Sequence, residues 1–127
     1  MARDKIKVDA ARYLEKSEEF YNSALENYQK GRYAACIFDA SQSIILANDA
    51  FCIFFLGKKA SKDHREAVLL HVQASQVRGE SKKEIVVEAL EKRSEFGYTE
   101  IRASEREANK ILVKAKRFLD WVRSVIK

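Results

Sequence analysis

The chain has 127 residues, of which 34% are charged and 46% hydrophobic, and it carries a formal net charge of +5. This length suffices for one compact domain and is too short for two, so we expect a single domain over residues 1–127. Charged and apolar residues are mixed along the whole chain, which excludes a low-complexity linker or a long disordered tail. No signal-peptide-like apolar run follows Met1, so we expect a cytoplasmic protein.

The chain has no proline, and its four glycines, Gly31, Gly57, Gly79 and Gly97, divide it into five segments. Each segment has a helical repeat of apolar residues. A repeat of three and four residues indicates amphipathic helices, and glycine is the usual residue after a helix end. The sequence therefore predicts an all-α fold, an up-and-down bundle of about five helices.

The first three predicted helices cover residues 8–30, 32–56 and 63–77. The second is apolar around most of its circumference, which predicts a central position in the bundle. Its longest apolar stretch, Ile44 to Leu56, is shorter than the roughly 20 residues that span a bilayer, so we expect no membrane contact. Asp63, followed three residues later by Glu66, is typical of a helix N-terminus.

The last two helices each begin with a predicted capping box, in which a serine hydroxyl and a glutamate carboxylate pair with free backbone N–H groups. The two boxes are Ser81-x-x-Glu84 and Ser104-x-x-Glu107. The final helix then presents a continuous apolar stripe, which predicts that it closes the bundle.

Cys36 and Cys52 lie sixteen residues apart in one predicted helix, roughly 24 Å at 1.5 Å per residue, and cannot form a disulfide with each other. With His64 and His71 as the two histidines, no zinc-type spacing is present. We therefore predict buried thiols, no metal and no cofactor.

Several segments together resemble the HEPN domain, the higher-eukaryote and prokaryote nucleotide-binding family. These are Tyr13 to Phe20, Gly31-Arg32-Tyr33-Ala34-Ala35, Ala40-Ser41-Gln42-Ser43 and Ala115-x-x-Phe118-Leu119-x-x-Val122. The resemblance covers nearly the whole chain and implies a HEPN-like bundle, similar to nucleotidyltransferase substrate-binding domains. A tetratricopeptide-like helix pair is the alternative for residues 28–36, but the required repeat at about 34 residues is absent.

Many HEPN proteins are metal-independent ribonucleases with an arginine, four to six residues and then a histidine. Arg65 and His71 match this spacing, although six residues in a regular helix place them about 120° apart. His64 and His71 share a helix face, so paired faces across a dimer axis are a candidate acid–base site. The alternative is a structural one, in which His71 is a core histidine and His64 caps its helix.

Two further groups are candidate binding residues. The loop residues Lys58, Lys59 and Lys62 precede a helix N-terminus and can hold a phosphate there, or simply be solvated. Polar residues in the apolar second helix need partners if they are buried, and can either fix the helix register or contact a nucleotide: Ser41, Gln42, Asn48 and Asp49.

Two classes of function follow from the resemblance. The preferred one is a nucleotide- or partner-binding module, the accessory or antagonist of a minimal nucleotidyltransferase in a toxin–antitoxin-like pair. The alternative is a metal-independent ribonuclease acting through Arg65 with His71 or His64, and a purely structural helical protein is a third possibility. Apolar surface in excess on so small a domain favours a homodimer, and the basic charge is compatible with RNA.

Overall fold

A computed structural model describes residues 2–61 and 63–126 and contains five α-helices. The predicted all-α fold is confirmed. Lys62, one of the predicted phosphate ligands, lies outside the described residues. The helices are α1 (Ala2–Gln29), α2 (Tyr33–Leu56), α3 (His64–Arg78), α4 (Lys83–Tyr98) and α5 (Glu105–Val125).

Helices α1 and α2 form an antiparallel pair with small residues at the contact. Ala10, Ser17 and Ala24 recur every seven residues on α1 and are at most 1% exposed. Small side chains let two helix backbones approach closely, and the Ser17 hydroxyl donates a hydrogen bond to the backbone oxygen of Ser43 at 2.6 Å. That bond sets the register, which brings Ala24 level with the equally buried Cys36.

The turn between α1 and α2 depends on Gly31. Its φ of +73° is in the left-handed region that favours glycine. The N–H groups of Gly31 and Arg32 donate to the carbonyls of Tyr28 and Asn27, which is the Schellman arrangement. The predicted helix end is therefore confirmed, whereas the helix start at Val8 was wrong. The helix begins at Ala2, and Arg3 donates to the Phe54 carbonyl at 3.0 Å and lies over its ring.

Helix α2 packs against each of the other four helices, which confirms its central position. By length and composition alone α2 could cross a membrane, but 78% of its apolar window is buried inside the bundle, as in a core helix. Cys36 and Cys52 are free and buried, as predicted. Burial raises the pKa of these thiols to about 11 and about 12, so neither is an activated nucleophile.

Of the three helix N-termini predicted from capping residues, those of α3 and α5 are confirmed and that of α4 is not. Asp63 accepts a hydrogen bond from the Glu66 N–H at 2.9 Å, and Ser104 with Glu107 forms the complete capping box. The box predicted at Ser81 is wrong. Helix α4 begins one residue later, after Lys82, because the Lys82 N–H donates to the buried ring of His71 at 2.9 Å.

Gly97 does not end a helix, contrary to its predicted role, but lies inside α4 where that helix meets α2. A methyl group at Gly97 would lie 2.5 Å from Cδ2 of Phe38. The Phe38 ring also packs edge-on against Tyr98, with ring centroids 6.3 Å apart. Glycine is therefore required here for close packing rather than for a left-handed turn.

We predict that Gly97→Ala destabilises the protein by about 1–2 kcal/mol, because the Phe38 ring must move. In a Phe38→Ala background the same change should stabilise it by about 0.5–1 kcal/mol, since alanine is the better helix former. Urea unfolding of the two single variants and the double variant measures this coupling. Additive free energies would contradict the proposed contact.

Candidate nucleotide-binding cleft

A cleft of about 930 Å³ opens where α1, α2, α3 and α4 meet. Its volume is within the range of small-molecule sites, about 300–1,000 Å³. Its apolar wall includes Ile45, Leu46, Ala67 and Leu90. The polar and charged side chains of its lining, apart from the Tyr13 hydroxyl, are Gln42, Asp49, Lys59, Ser61, Asp63, His64, Arg65 and Arg93.

The structure brings some of the predicted site residues together and separates others. Gln42, Asp49, Lys59, His64 and Arg65 all line the cleft, although they came from three different predicted groups. Of the remaining five, Lys62 lies outside the described residues and four lie elsewhere: Lys58 is exposed outside the cleft lining, and Ser41, Asn48 and His71 are buried in the bundle.

Arg93 on α4 connects the two sides of the cleft. Its Nη1 donates to Oε1 of Gln42 at 3.0 Å, and its Nη2 lies 3.3 Å from Nε2 of His64. A guanidinium can only donate, so Nε2 of His64 is the acceptor and the imidazole proton lies on Nδ1. The buried Nε of Arg93 has no hydrogen-bond partner among the described residues. Each Nη keeps a second hydrogen for a ligand.

Lys59 follows the C-terminus of α2 and is partly buried at the cleft. Its ammonium group donates to the Ala60 carbonyl at 3.3 Å and lies 5.6 Å from the centroid of the Tyr13 ring. Tyr13 thus contributes a ring from α1 to the lining. A partly buried lysine held over an aromatic face is positioned to meet an anion entering the cleft.

Asp49 is the buried acid of the cleft, with 9% of its surface exposed. Its carboxylate accepts no hydrogen bond from the parts of the chain that the structure describes. Burial raises the pKa of Asp49 to about 6, although the charges of Lys59 and Arg93 act in the opposite direction. A carboxylate in this position is costly to ionise unless a ligand supplies hydrogen-bond donors.

His71 is fully buried, and both of its ring nitrogens have partners. Nε2 accepts from the Lys82 N–H, so Nδ1 carries the proton and donates to Oδ1 of Asn48 at 2.8 Å. The Asn48 amide in turn approaches the Ala67 carbonyl at 3.4 Å. Burial lowers the pKa of His71 to about 4. This geometry corresponds to the structural alternative for His71.

The Arg65–His71 pair is therefore not assembled as the ribonuclease interpretation requires. Arg65 is exposed and lines the cleft, whereas His71 has no exposed surface. His64 also lies at the cleft, so the two histidines do not share an accessible face. The reason is that α3 packs its His71 side against Phe51 and Phe118, with ring centroids 5.1 and 6.2 Å away.

Four polar or aromatic residues of the lining were not predicted as site residues: Tyr13, Ser61, Asp63 and Arg93. Arg93 lies in a run of charged residues that is typical of a solvated helix face, and Tyr13 reads as an ordinary core position. The polar residues of the apolar helix α2 were the available signal, because Gln42 needed a partner from another helix. Among residues 2–61 and 63–126, no group of three His, Cys, Asp or Glu side chains could hold a metal ion.

The raised pKa of Asp49 and the lowered pKa of His71 imply opposite effects of pH on the free energy of unfolding. The Asp49 pKa is raised from 3.8, so its stabilising contribution is present below pH 3.8 and lost as the pH rises to about 6. The His71 pKa is lowered from 6.5, so its contribution is present above pH 6.5 and lost as the pH falls to about 4. Between pH 4 and 6 the two contributions oppose each other.

We predict that Asp49→Asn stabilises the protein at pH 7.5 by up to about 3 kcal/mol, at 1.36 kcal/mol per pKa unit. The variant should then lose stability on acidification below pH 6.5, at up to roughly 1.4 kcal/mol per pH unit, because the His71 effect is no longer opposed. Urea unfolding from pH 4.5 to 7.5 measures both effects, with exposed Asp4→Asn as the matched control. Identical pH profiles for Asp49→Asn and wild type would contradict this assignment.

The comparisons with known proteins agree with this helical architecture. The sequence model of the HEPN domain matches residues 10–125, nearly the whole chain. A search of curated proteins found no match. The family match supports, in general terms, a nucleotide-binding or ribonuclease-like module. On the extent of this match, the chain belongs to the HEPN domain family.

Proposed function

We propose that this HEPN domain is a nucleotide-binding module that holds the phosphate of its ligand in the cleft between α1, α2, α3 and α4. The observation that carries the proposal is the convergence of Lys59, His64, Arg65 and Arg93 on one cleft, whose two acids are the buried Asp49 and the exposed Asp63 that caps α3. Three of these four residues are permanent cations. Lys59 follows α2, His64 and Arg65 lie on α3, and Arg93 lies on α4, so three parts of the fold contribute to this cleft.

Arg93 is the central phosphate ligand in this proposal. Guanidinium groups bind phosphate in a bidentate manner. The contacts with Gln42 and His64 already fix the plane of the Arg93 guanidinium. The first turn of α3 adds the positive end of a helix dipole beside His64. Lys59, which follows the end of α2 and lies over the Tyr13 ring, supplies a second positive charge.

We predict that nucleoside monophosphates bind the wild-type protein and that Arg93→Gln weakens binding by tenfold or more, since a hydrogen bond to a charged group is worth about 1.5–3 kcal/mol. Lys59→Gln should weaken binding less, and its neighbour Lys58→Gln, outside the cleft lining, should have no effect. Isothermal titration calorimetry with each of AMP, GMP, CMP and UMP measures this, with circular dichroism to verify folding. Equal losses at Lys58 and Lys59 would point to nonspecific charge attraction instead.

We also propose that the module is the accessory or antagonist partner of a minimal nucleotidyltransferase in a toxin–antitoxin-like pair, and that it forms a homodimer. The family match and the lack of an assembled Arg65–His71 pair support the first part. Exposed apolar side chains such as Leu69 and Val77, which lie two turns apart on α3, support the second. Co-purification with the product of the neighbouring gene and light scattering test the two parts separately.

The ribonuclease alternative has one observation in its favour, an exposed His64 beside Arg93 in the cleft. Incubating the protein with mixed RNA in excess EDTA tests it directly. Cleavage that disappears in His64→Ala would replace the binding-module proposal with a metal-independent ribonuclease. Intact RNA with both proteins is the expected result.

A further inference from the structure

The Asp49 carboxylate is a buried acceptor of the cleft that receives no hydrogen bond from the described residues. Gln42 accepts from Arg93, His64 also contacts Arg93, and Lys59 donates to a backbone carbonyl. Asp49 is 91% buried and accepts a hydrogen bond from no residue in the described ranges 2–61 and 63–126. Its oxygens are not among the fully enclosed unpaired atoms of the described residues, which are Ser41 Oγ and Arg93 Nε, so they open onto the cleft as acceptors that a ligand can meet with its own donors.

The missing partner of Asp49 is a hydrogen-bond donor. Above its pKa of about 6, the carboxylate is ionised and is purely an acceptor, with two oxygens side by side. The cations of the cleft already supply the donors that a phosphate needs. A ligand that completes the cleft therefore carries an anionic group for the cations and two adjacent donors for Asp49.

The surroundings of Asp49 favour a flat ring over a hydrated sugar as the source of those donors. Leu46, Ala67 and Leu90 line the same cleft and are only 5–6% exposed. His64 and Arg65 are exposed, and Lys59 and Arg93 are partly buried. Asp49 and these apolar residues are the least exposed part of the lining, and the cations are more exposed than they are, which fits a nucleobase against Asp49 and a phosphate nearer to solvent.

We infer that the cleft selects guanine nucleotides, with the two oxygens of Asp49 accepting hydrogen bonds from N1–H and the 2-amino group of the base. This inference rests on the proposed nucleotide binding. Guanine presents two adjacent donors on one edge with no acceptor between them. Adenine and cytosine each place a ring-nitrogen acceptor beside the amino group, and uracil flanks its single N–H with two carbonyl oxygens. Each of those acceptors would face the negative carboxylate.

The test is calorimetric titration at pH 7.5 with GMP, AMP, CMP, UMP and inosine monophosphate, which is the guanine analogue without the 2-amino group. GMP should bind about tenfold or more tightly than AMP, CMP or UMP, in line with the discrimination that bidentate pairs give. Inosine monophosphate should bind more weakly than GMP. In Asp49→Asn, GMP affinity should fall to that of AMP, while Asp4→Asn on the surface of α1 should retain the full preference.

The outcomes separate this inference from the proposed function. If no nucleotide binds wild type, nucleotide binding itself fails. If all four monophosphates bind equally and Arg93→Gln weakens them all, the phosphate site stands and the guanine selectivity is wrong. If the base has no effect but 2′-deoxy-GMP binds more weakly than GMP, Asp49 holds the ribose hydroxyl groups, which also overturns the inference.

Discussion

The packing of α2 against all four other helices is the constraint on which the rest of the structure depends. Because this helix contacts the other four, burying a polar side chain on it is costly unless that side chain finds a partner inside the bundle or reaches a cleft. Asn48 and Asp49 are neighbours that take the two different solutions. Asn48 turns into the core and pairs with His71, and Asp49 lines the cleft without a protein partner among the described residues.

The two solutions connect the core with the site. The Asn48–His71 pair reaches the Lys82 N–H and so fixes where α4 begins. Helix α4 in turn carries Arg93 to the cleft, where it contacts Gln42 from α2 and His64 from α3. The histidine that sequence spacing suggested as a catalyst therefore serves to position the arginine helix. The Ser41 hydroxyl is also buried and has no hydrogen-bond partner among the described residues.

Local signals in the sequence predicted the fold well, because helix periodicity, the glycine at position 31 and the serine at position 104 act over a few residues. They failed where a long-range contact overrides a local one. The capping box at Ser81 does not form, and the Lys82 N–H instead donates to the ring of His71, eleven residues earlier. Gly97 allows close packing against Phe38 on another helix. Arg93 lies 51 residues from Gln42 and 29 from His64, so no spacing rule joins them. The polar residues of α2 were recognisable, but their division between core and cleft depends on the rotation of the helix within the bundle.

The central claim is that the cleft, with Arg93 and Asp49 in it, is where a nucleotide binds. A crystal structure of the protein with GMP tests it most directly. The account predicts density for the phosphate against the Arg93 guanidinium, with the guanine edge within hydrogen-bond distance of both Asp49 oxygens. GMP bound on another surface, with the Arg93 contacts to Gln42 and His64 unchanged and Asp49 still unpaired, would contradict it.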